Sequence, residues 1–153
     1  MKTIILYATK YGATAEIARR LGEQLGGAVL HDLKQSVPDL SGFDRIIIGS
    51  SVYAGSIRKE AKNFMTKNAD LLTKKPLGLF LSSLSGEGDF FDKNFPAHVL
   101  QHAKAKVALG GIFEPAKAGG FERFIMKKVM KTAGRIDKID DEKIKGFAEQ
   151  MMT

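Results

Sequence analysis

Residues 3–16 read TIILYATKYGATAE and contain the pattern that decides the fold of this 153-residue chain. Residues 3–8 form an unbroken β-prone run, which is typical of a strand buried on both faces of a sheet. A short loop with one glycine follows, and residues 14–25 then predict a helix that ends at Gly26-Gly27. The apolar residues of this helix recur at helical spacing: Ile17, Ala18, Leu21 and Leu25. A buried strand that leads through a loop into a helix is typical of a parallel α/β sheet.

The same alternation continues along the rest of the chain. Further strands are predicted at residues 28–33, 43–50, 77–82 and 106–113, and residues 34–42 predict a connection with at most one helical turn. Further helices are predicted at residues 58–72, 89–103, 120–133 and 140–152, with Asp89 as an N-cap. This pattern indicates an α/β sandwich of three layers, with a five-stranded parallel sheet of order 2-1-3-4-5. Residues 1–153 are expected to form a single domain.

Composition limits the chemistry of this chain. It has no cysteine, which excludes disulfides and thiolate nucleophiles, so redox activity would require a bound cofactor. His98 and His102 lie four residues apart on a predicted helix, but no carboxylate joins them at a metal-site spacing, and no metal site is expected. No apolar segment approaches the roughly 20 residues that span a bilayer, and a cytoplasmic protein is expected.

Three loops are candidates for ligand binding, because such sheets bind ligands beyond the carboxyl ends of their strands, at the switch point between strands 1 and 3. The loop after strand 1 opens a helix, whose first N–H groups and partial positive charge suit a phosphate. It lacks both G-x-x-x-x-G-K-[ST] and G-x-G-x-x-G, so a single phosphate is favoured. The candidate residues are Thr9, Lys10, Tyr11, Gly12, Ala13 and Thr14. The alternative is a helix capped by Thr14 without a ligand.

The pattern strand-(S/T)-x-x-G-x-T-helix, carried by Thr9, Gly12 and Thr14, resembles the phosphate loop of flavodoxins. Flavodoxins usually have Thr or Ser where this chain has Tyr11, and commonly Asn where it has Ala13. The resemblance implies a flavodoxin-like fold with non-covalently bound FMN, whose phosphate this loop would hold.

The same resemblance implies where the flavin ring would lie. Flavodoxins place an aromatic side chain of the loop after strand 3 against the ring, and the candidates there are Ser50, Ser51, Val52, Tyr53, Ala54 and Gly55, with Tyr53 as the aromatic residue. Amides of the loop after strand 4 would bind the pyrimidine edge, and the candidates are Ser82, Ser83, Leu84, Ser85 and Gly86. Two alternatives are open: Tyr53 is simply a half-buried residue at a strand end, and residues 86–89 are an ordinary turn into a helix.

Three further segments resemble a second family of this fold, the flavodoxin-type, menaquinone-dependent protoporphyrinogen oxidases. These segments are MKTIIL-YAT at residues 1–9, IIIGSSV-Y-G at residues 46–55 and RFIMKKVMK at residues 123–131. Members of that family typically carry a long insertion after strand 4, where this chain runs directly from Leu84 to Asp89. This difference bears on the porphyrin reaction and leaves the FMN loops intact.

Charge distribution indicates the kind of partner. The net charge is +7, and residues 117–135 carry six basic residues and one acidic residue. A basic amphipathic helix at residues 120–133 would allow contact with the inner face of a membrane, or would simply dock on the domain. No nucleic-acid motif is recognised, so no nucleic-acid partner is expected. We expect an FMN oxidoreductase that passes electrons to a quinone or redox protein; the alternative is a flavodoxin that carries electrons between proteins. No catalytic side chain is assigned.

Overall fold

The structure, a computed structural model, describes residues 1–86, 88–113 and 136–153. Its strands are β1 (Thr3–Ala8), β2 (Val29–Asp32), β3 (Arg45–Tyr53), β4 (Ser56–Ile57), β5 (Leu77–Ser82), β6 (Ala105–Ala108), β7 (Ile112–Phe113) and β8 (Ile136–Asp137). Its helices are α1 (Ala13–Gln24), α2 (Lys59–Lys67), α3 (Ala69–Leu72), α4 (Phe90–Asn94), α5 (Ala97–His102) and α6 (Asp141–Met152). The predicted helix at residues 120–133 lies outside the described residues.

The sheet confirms the predicted topology. Five parallel strands lie in the order β2-β1-β3-β5-β6, which is order 2-1-3-4-5 when these strands are numbered along the chain. Their register pairs Ala8 with Ser50, and Ser51 with Ser82. The carboxyl ends of β1, β3 and β5 therefore meet at one edge, which is the edge where ligands bind in sheets of this kind.

Two apolar clusters cover the two faces of the sheet, as the unbroken apolar strands require. On one face, α1 and α6 pack over Ile5, Ile47 and Phe80. On the other face, residues of α2 to α5 pack over strand residues that include Ile46 and Leu79. Alternate residues of each central strand thus enter opposite clusters, which gives the three-layer arrangement.

Two predicted helices are each divided by a local backbone preference. Residues 58–72 form α2 and α3 because the Asn68 side chain donates a hydrogen bond of 2.9 Å to the Phe64 carbonyl and its backbone leaves helical geometry. Residues 89–103 form α4 and α5 because Phe95, which precedes Pro96, is extended. Asp89 stands at the predicted N-cap but makes no capping bond, and it pairs instead with Lys93 at 3.0 Å.

The fifth strand is shorter than predicted, because the chain leaves the sheet after Ala108. Gly110 has a φ of +88°, and a side chain there would lie 2.0 Å from the Lys138 carbonyl oxygen. Beyond this turn, β7 pairs antiparallel with β8, and the Lys138 amide donates to the Gly111 carbonyl at 2.8 Å. The prediction of one strand over residues 106–113 was therefore wrong in its second half.

Candidate functional site

The loop after β1 ends in a tight turn that starts α1. Gly12 occupies the N-cap with a φ of +100°, and its amide donates a hydrogen bond of 2.8 Å to Thr9 Oγ1. A glycine adopts this left-handed conformation at little cost, which lets the loop pass directly into the helix. The first N–H groups of α1 have no partner within the helix, and the helix dipole adds partial positive charge there.

Thr14, in the first turn of α1, has a side chain whose surroundings are unusual for a hydroxyl. The residue is fully buried, and among the described residues Thr14 Oγ1 has no hydrogen-bond partner. The alternative in which Thr14 caps the helix is therefore wrong, since the N-cap is Gly12 and no side chain caps α1. A buried hydroxyl without a partner costs about 1–3 kcal/mol, unless a ligand supplies the missing bond.

The loop after β3 is a hairpin that sequence reasoning missed. β3 runs to Tyr53 and pairs antiparallel with β4 across the two-residue loop Ala54-Gly55. Ala54 and Gly55 have φ values of +52° and +80°, the signs that a type I′ turn requires. Tyr53 therefore lies at the tip of a hairpin, where 39% of its surface is exposed. Lys10 Nζ lies 3.1 Å from the centroid of its ring, which joins the first loop to the hairpin.

Asn94 of α4 fixes this hairpin from the other side. Its Oδ1 accepts from the Ile57 amide at 3.3 Å, and its Nδ2 donates to the Gly55 carbonyl at 3.0 Å. A further bond of 2.9 Å to the Phe90 carbonyl holds the side chain on α4. Nothing in the sequence marks Asn94, because these contacts join residues 37 and 39 positions apart.

The serines of β3 differ in what they offer a ligand. Ser50 is buried, and its hydroxyl is used within the protein: it accepts from the Arg58 amide at 2.9 Å and donates to the Ser51 carbonyl at 3.0 Å. Ser51 Oγ is buried and has no partner among the described residues. Of these two serines, Ser51 is therefore the one whose hydroxyl could hydrogen-bond to a ligand. Arg58 Nε and Glu60 Oε2, which the sequence did not single out, are also buried without a partner in the described part of the chain.

The loop after β5 is held close to the sheet at its start and is exposed further on. Ser82 and Ser83 are buried, and the Ser83 amide donates to the Gly110 carbonyl at 2.9 Å. The Ser85 amide donates to Ser83 Oγ at 3.2 Å. Leu84 is half-buried, whereas Ser85 and Gly86 are exposed. The Ser83 amide is thus already paired, which leaves the exposed part of the loop as the better candidate for a ligand's edge.

Taken together, the predicted residues lie in three segments at the same edge of the sheet, and some of those predicted in loops belong to the end of β3, the end of β5 or the start of α1. Strand register places Ser51 of β3 beside Ser82 of β5, and the contact between Lys10 and Tyr53 joins the loop after β1 to the β3–β4 hairpin. Val52 is half-buried and pairs with Ile57, so it supports the hairpin. His102 Nε2 hydrogen-bonds the Lys75 carbonyl at 2.7 Å. The described residues contain no group of side chains suited to a metal ion.

Ion pairs along α1 hold the helix that starts at the candidate phosphate loop. Glu16 binds Arg19 and Arg20 at 2.8 Å each, and the hydrogen bond from Arg19 is the main reason that the pKa of Glu16 falls to about 2. Arg20 also reaches Asp137 at 3.3 Å and Asp141 at 3.2 Å. These contacts attach α1 to the start of α6.

The sequence profile described as the flavodoxin domain matches residues 4–140. The chain belongs to this flavodoxin family. The protoporphyrinogen IX dehydrogenase [quinone] of Escherichia coli strain K12 is similar, with 25% identity over 149 residues that cover 88% of this chain and 81% of the relative. The family prediction made from the sequence is thereby confirmed.

Solved structures agree on the fold. A short-chain flavodoxin associated with a PDU bacterial microcompartment is 20% identical, with a TM-score of 0.61 over 99% of this chain and 97% of that one. The rubredoxin:oxygen oxidoreductase of Desulfovibrio gigas is 17% identical, with a TM-score of 0.64 over 98% of this chain. This flavodoxin domain spans about a third of that larger protein, 35% of its length.

Membership of the family supports FMN as the cofactor, and the residues present fit that group. The buried Thr14 hydroxyl, which has no hydrogen-bond partner in the described part of the chain, suits a bound phosphate, and the half-exposed Tyr53 suits a flat ring. Within the described residues, no helix has the length and apolar character needed to cross a bilayer.

Proposed function

We propose that this flavodoxin domain binds FMN at the edge formed by the loops after β1, β3 and β5. The observation that carries this proposal is the Thr14 hydroxyl in the first turn of α1, which is buried and has no hydrogen-bond partner among the residues that the structure describes. Residues 9–14 would hold the phosphate with helix N–H groups and hydroxyls. Tyr53 would stack on the ring, and residues 82–86 would contact its pyrimidine edge.

The protein's own contribution is to bind and orient the cofactor. Bound FMN would supply the acceptance and release of electrons, for which this cysteine-free chain has no side chain of its own. Asn94 would keep the Tyr53 hairpin in place through its bonds to Gly55 and Ile57. The ion pairs of Glu16 would keep α1 aligned with the phosphate loop.

For the reaction, we propose an oxidoreductase that takes electrons from a reduced porphyrin precursor and passes them to a quinone. Two kinds of similarity support this: the activity for which the E. coli relative is named, and the resemblance of residues 1–9, 46–55 and 123–131 to protoporphyrinogen oxidases of this fold. The test is anaerobic turnover of protoporphyrinogen with a menaquinone analogue, beside a control that lacks FMN. FMN-dependent turnover supports the enzyme, and its absence in FMN-loaded protein would contradict it.

The second candidate is an electron carrier, which the structural similarity to a short-chain flavodoxin favours. Charge separates the two candidates. Reduced FMN can be an anion, so a protein of net charge +7 should favour it more than an acidic carrier does. We expect a less negative reduction potential than acidic flavodoxins have. A redox titration that gives an equally low value, with fast electron transfer to a partner protein, would favour the carrier.

Membrane contact is a separate proposal that rests on the sequence of residues 117–135, which lie outside the described residues. The excess of basic residues there would attract anionic head groups. Co-sedimentation with anionic vesicles at low salt, and release at high salt, is the expected result. Failure to co-sediment at low salt would contradict this proposal.

A further inference from the structure

Lys10 makes a contact whose position matters for ring binding. Its ammonium lies 3.1 Å from the centroid of the Tyr53 ring and 5.2 Å from that of Tyr11. Both distances are within the roughly 6 Å over which a cation is attracted to an aromatic face. The first contact connects two loops that are 43 residues apart in the sequence. Through Lys10, the loop after β1 therefore reaches one face of Tyr53.

A flavin held by the phosphate loop would approach Tyr53 from that same side. With its phosphate at residues 9–14, the flavin would extend from this loop toward the hairpin, and its isoalloxazine ring would meet the face of Tyr53 nearest the loop. The Lys10 ammonium already lies over one face of the Tyr53 ring, 3.1 Å from its centroid. One face of an aromatic ring has room for only one group at stacking distance. Lys10 and the isoalloxazine would therefore compete for Tyr53.

We propose that Lys10 is a displaceable cap on Tyr53, which covers the ring in the flavin-free protein and leaves it when flavin stacks there. This inference rests on the proposed FMN site, and it assigns to Lys10 the role of limiting the affinity of that site for the isoalloxazine ring. The contact must be broken before the ring binds, so it lowers ring affinity by the strength of the cation–π attraction. That strength corresponds to a factor of about 2 to 30 in a dissociation constant.

Lys10 should affect FMN affinity in two opposite ways, because its charge competes with the flavin ring at Tyr53 and also attracts a phosphate bound by the same loop. Riboflavin, which has the ring and lacks the phosphate, isolates the competition at Tyr53. Lys10→Met removes the charge and keeps an unbranched side chain, and Lys59→Met makes the same charge change at an exposed position of α2. Tyr53→Leu removes the ring while keeping an apolar side chain.

The experiment measures riboflavin and FMN dissociation constants by flavin fluorescence for wild type, the three single variants and Lys10→Met/Tyr53→Leu. We expect Lys10→Met to bind riboflavin about 2- to 30-fold more tightly, with a smaller gain or a loss for FMN. Lys59→Met should match wild type, and the gain should vanish in the Tyr53→Leu background. Unchanged or weaker riboflavin binding by Lys10→Met would overturn the proposal, as would a gain that persists without Tyr53.

A second measurement observes the contact directly. In the flavin-free protein, the ring current of Tyr53 should shift the Lys10 ε-methylene NMR signal upfield, and both Tyr53→Leu and added FMN should remove this shift. An absent shift in the flavin-free protein, or a shift that persists in the FMN complex, would overturn the cap. If the wild-type protein binds neither FMN nor riboflavin, both the proposed function and this inference are contradicted. FMN binding with an unmoved Lys10 signal would defeat the inference alone.

Discussion

Replacing Thr14 with valine should stabilise the flavin-free protein and weaken FMN binding. The two side chains have nearly the same shape, and Thr14 is fully buried with its Oγ1 unpartnered among the described residues. Removing a buried hydroxyl without a partner relieves a desolvation cost of about 1–3 kcal/mol. At the low end of that range, the melting temperature of a chain of this size should rise by about 2–4 °C.

The FMN complex should respond in the opposite direction. A hydrogen bond from the Thr14 hydroxyl to a charged phosphate is worth about 1.5–3 kcal/mol, so FMN should bind about 10- to 150-fold more weakly to Thr14→Val. Riboflavin binding should change little, because it has no phosphate to lose. Urea unfolding of the flavin-free protein and calorimetric titration with FMN measure the two effects separately.

Thr66→Val is the matched control, because the Thr66 hydroxyl is exposed and donates to the Lys62 carbonyl at 2.9 Å within α2. Its stability should lie within about 0.5 kcal/mol of wild type, and its FMN affinity should be unchanged. Loss of 1 kcal/mol or more of stability in flavin-free Thr14→Val would show that this hydroxyl has a partner in the protein. Unchanged FMN affinity would show that it does not contact the phosphate.

Three other predictions concern the framework of the site. Gly49→Ala should lower the free energy of unfolding by about 3 kcal/mol, because the new Cβ would lie 2.0 Å from Phe80 Cζ. Urea unfolding should show that Phe80→Leu partly restores the stability of Gly49→Ala, and wild-type stability of Gly49→Ala alone would refute this clash. Asn94→Ala should cost about 1–2 kcal/mol and weaken ring binding more than phosphate binding, measured by titration with riboflavin and inorganic phosphate. Glu16 has a pKa of about 2 in the folded protein, below its ordinary value of 4.5, so its ionised form stabilises the fold at pH values above 4.5. The free energy of unfolding should fall by about 1 kcal/mol, allowing for solvent screening, as the pH falls from 4.5 to 2. Urea unfolding of Glu16→Gln should not show this loss.

The sheet was predictable because each strand is marked by the residues of its own short segment of the sequence. Each central strand is an unbroken apolar run, and the run at residues 45–50 reads RIIIGS. With five such runs separated by helices, handedness and connection rules leave few topologies. The break at Pro96 was also available in the sequence, because a residue that precedes proline disfavours helix. The break at Asn68 was less visible, since it depends on whether the Asn side chain bonds to the preceding turn.

The rest of the site depends on contacts between residues distant in sequence. A type I′ turn is usually marked by Asn-Gly or Asp-Gly, and here Ala54 precedes the glycine, which hides the hairpin that carries Tyr53. The contacts of Asn94 and of Lys10 with this hairpin have no periodic pattern. The loops themselves were predictable because strand ends in a parallel sheet share one edge. The partners of each side chain within those loops were not.

The most direct test of this account is calorimetric titration of the purified, flavin-free chain with FMN and, separately, with riboflavin. We expect one FMN per chain and much weaker binding of riboflavin, because the phosphate loop supplies much of the affinity. Thr14→Val should narrow the difference between the two ligands. Absence of FMN binding, or equal affinity for FMN and riboflavin, would contradict the claim that residues 9–14 hold a phosphate.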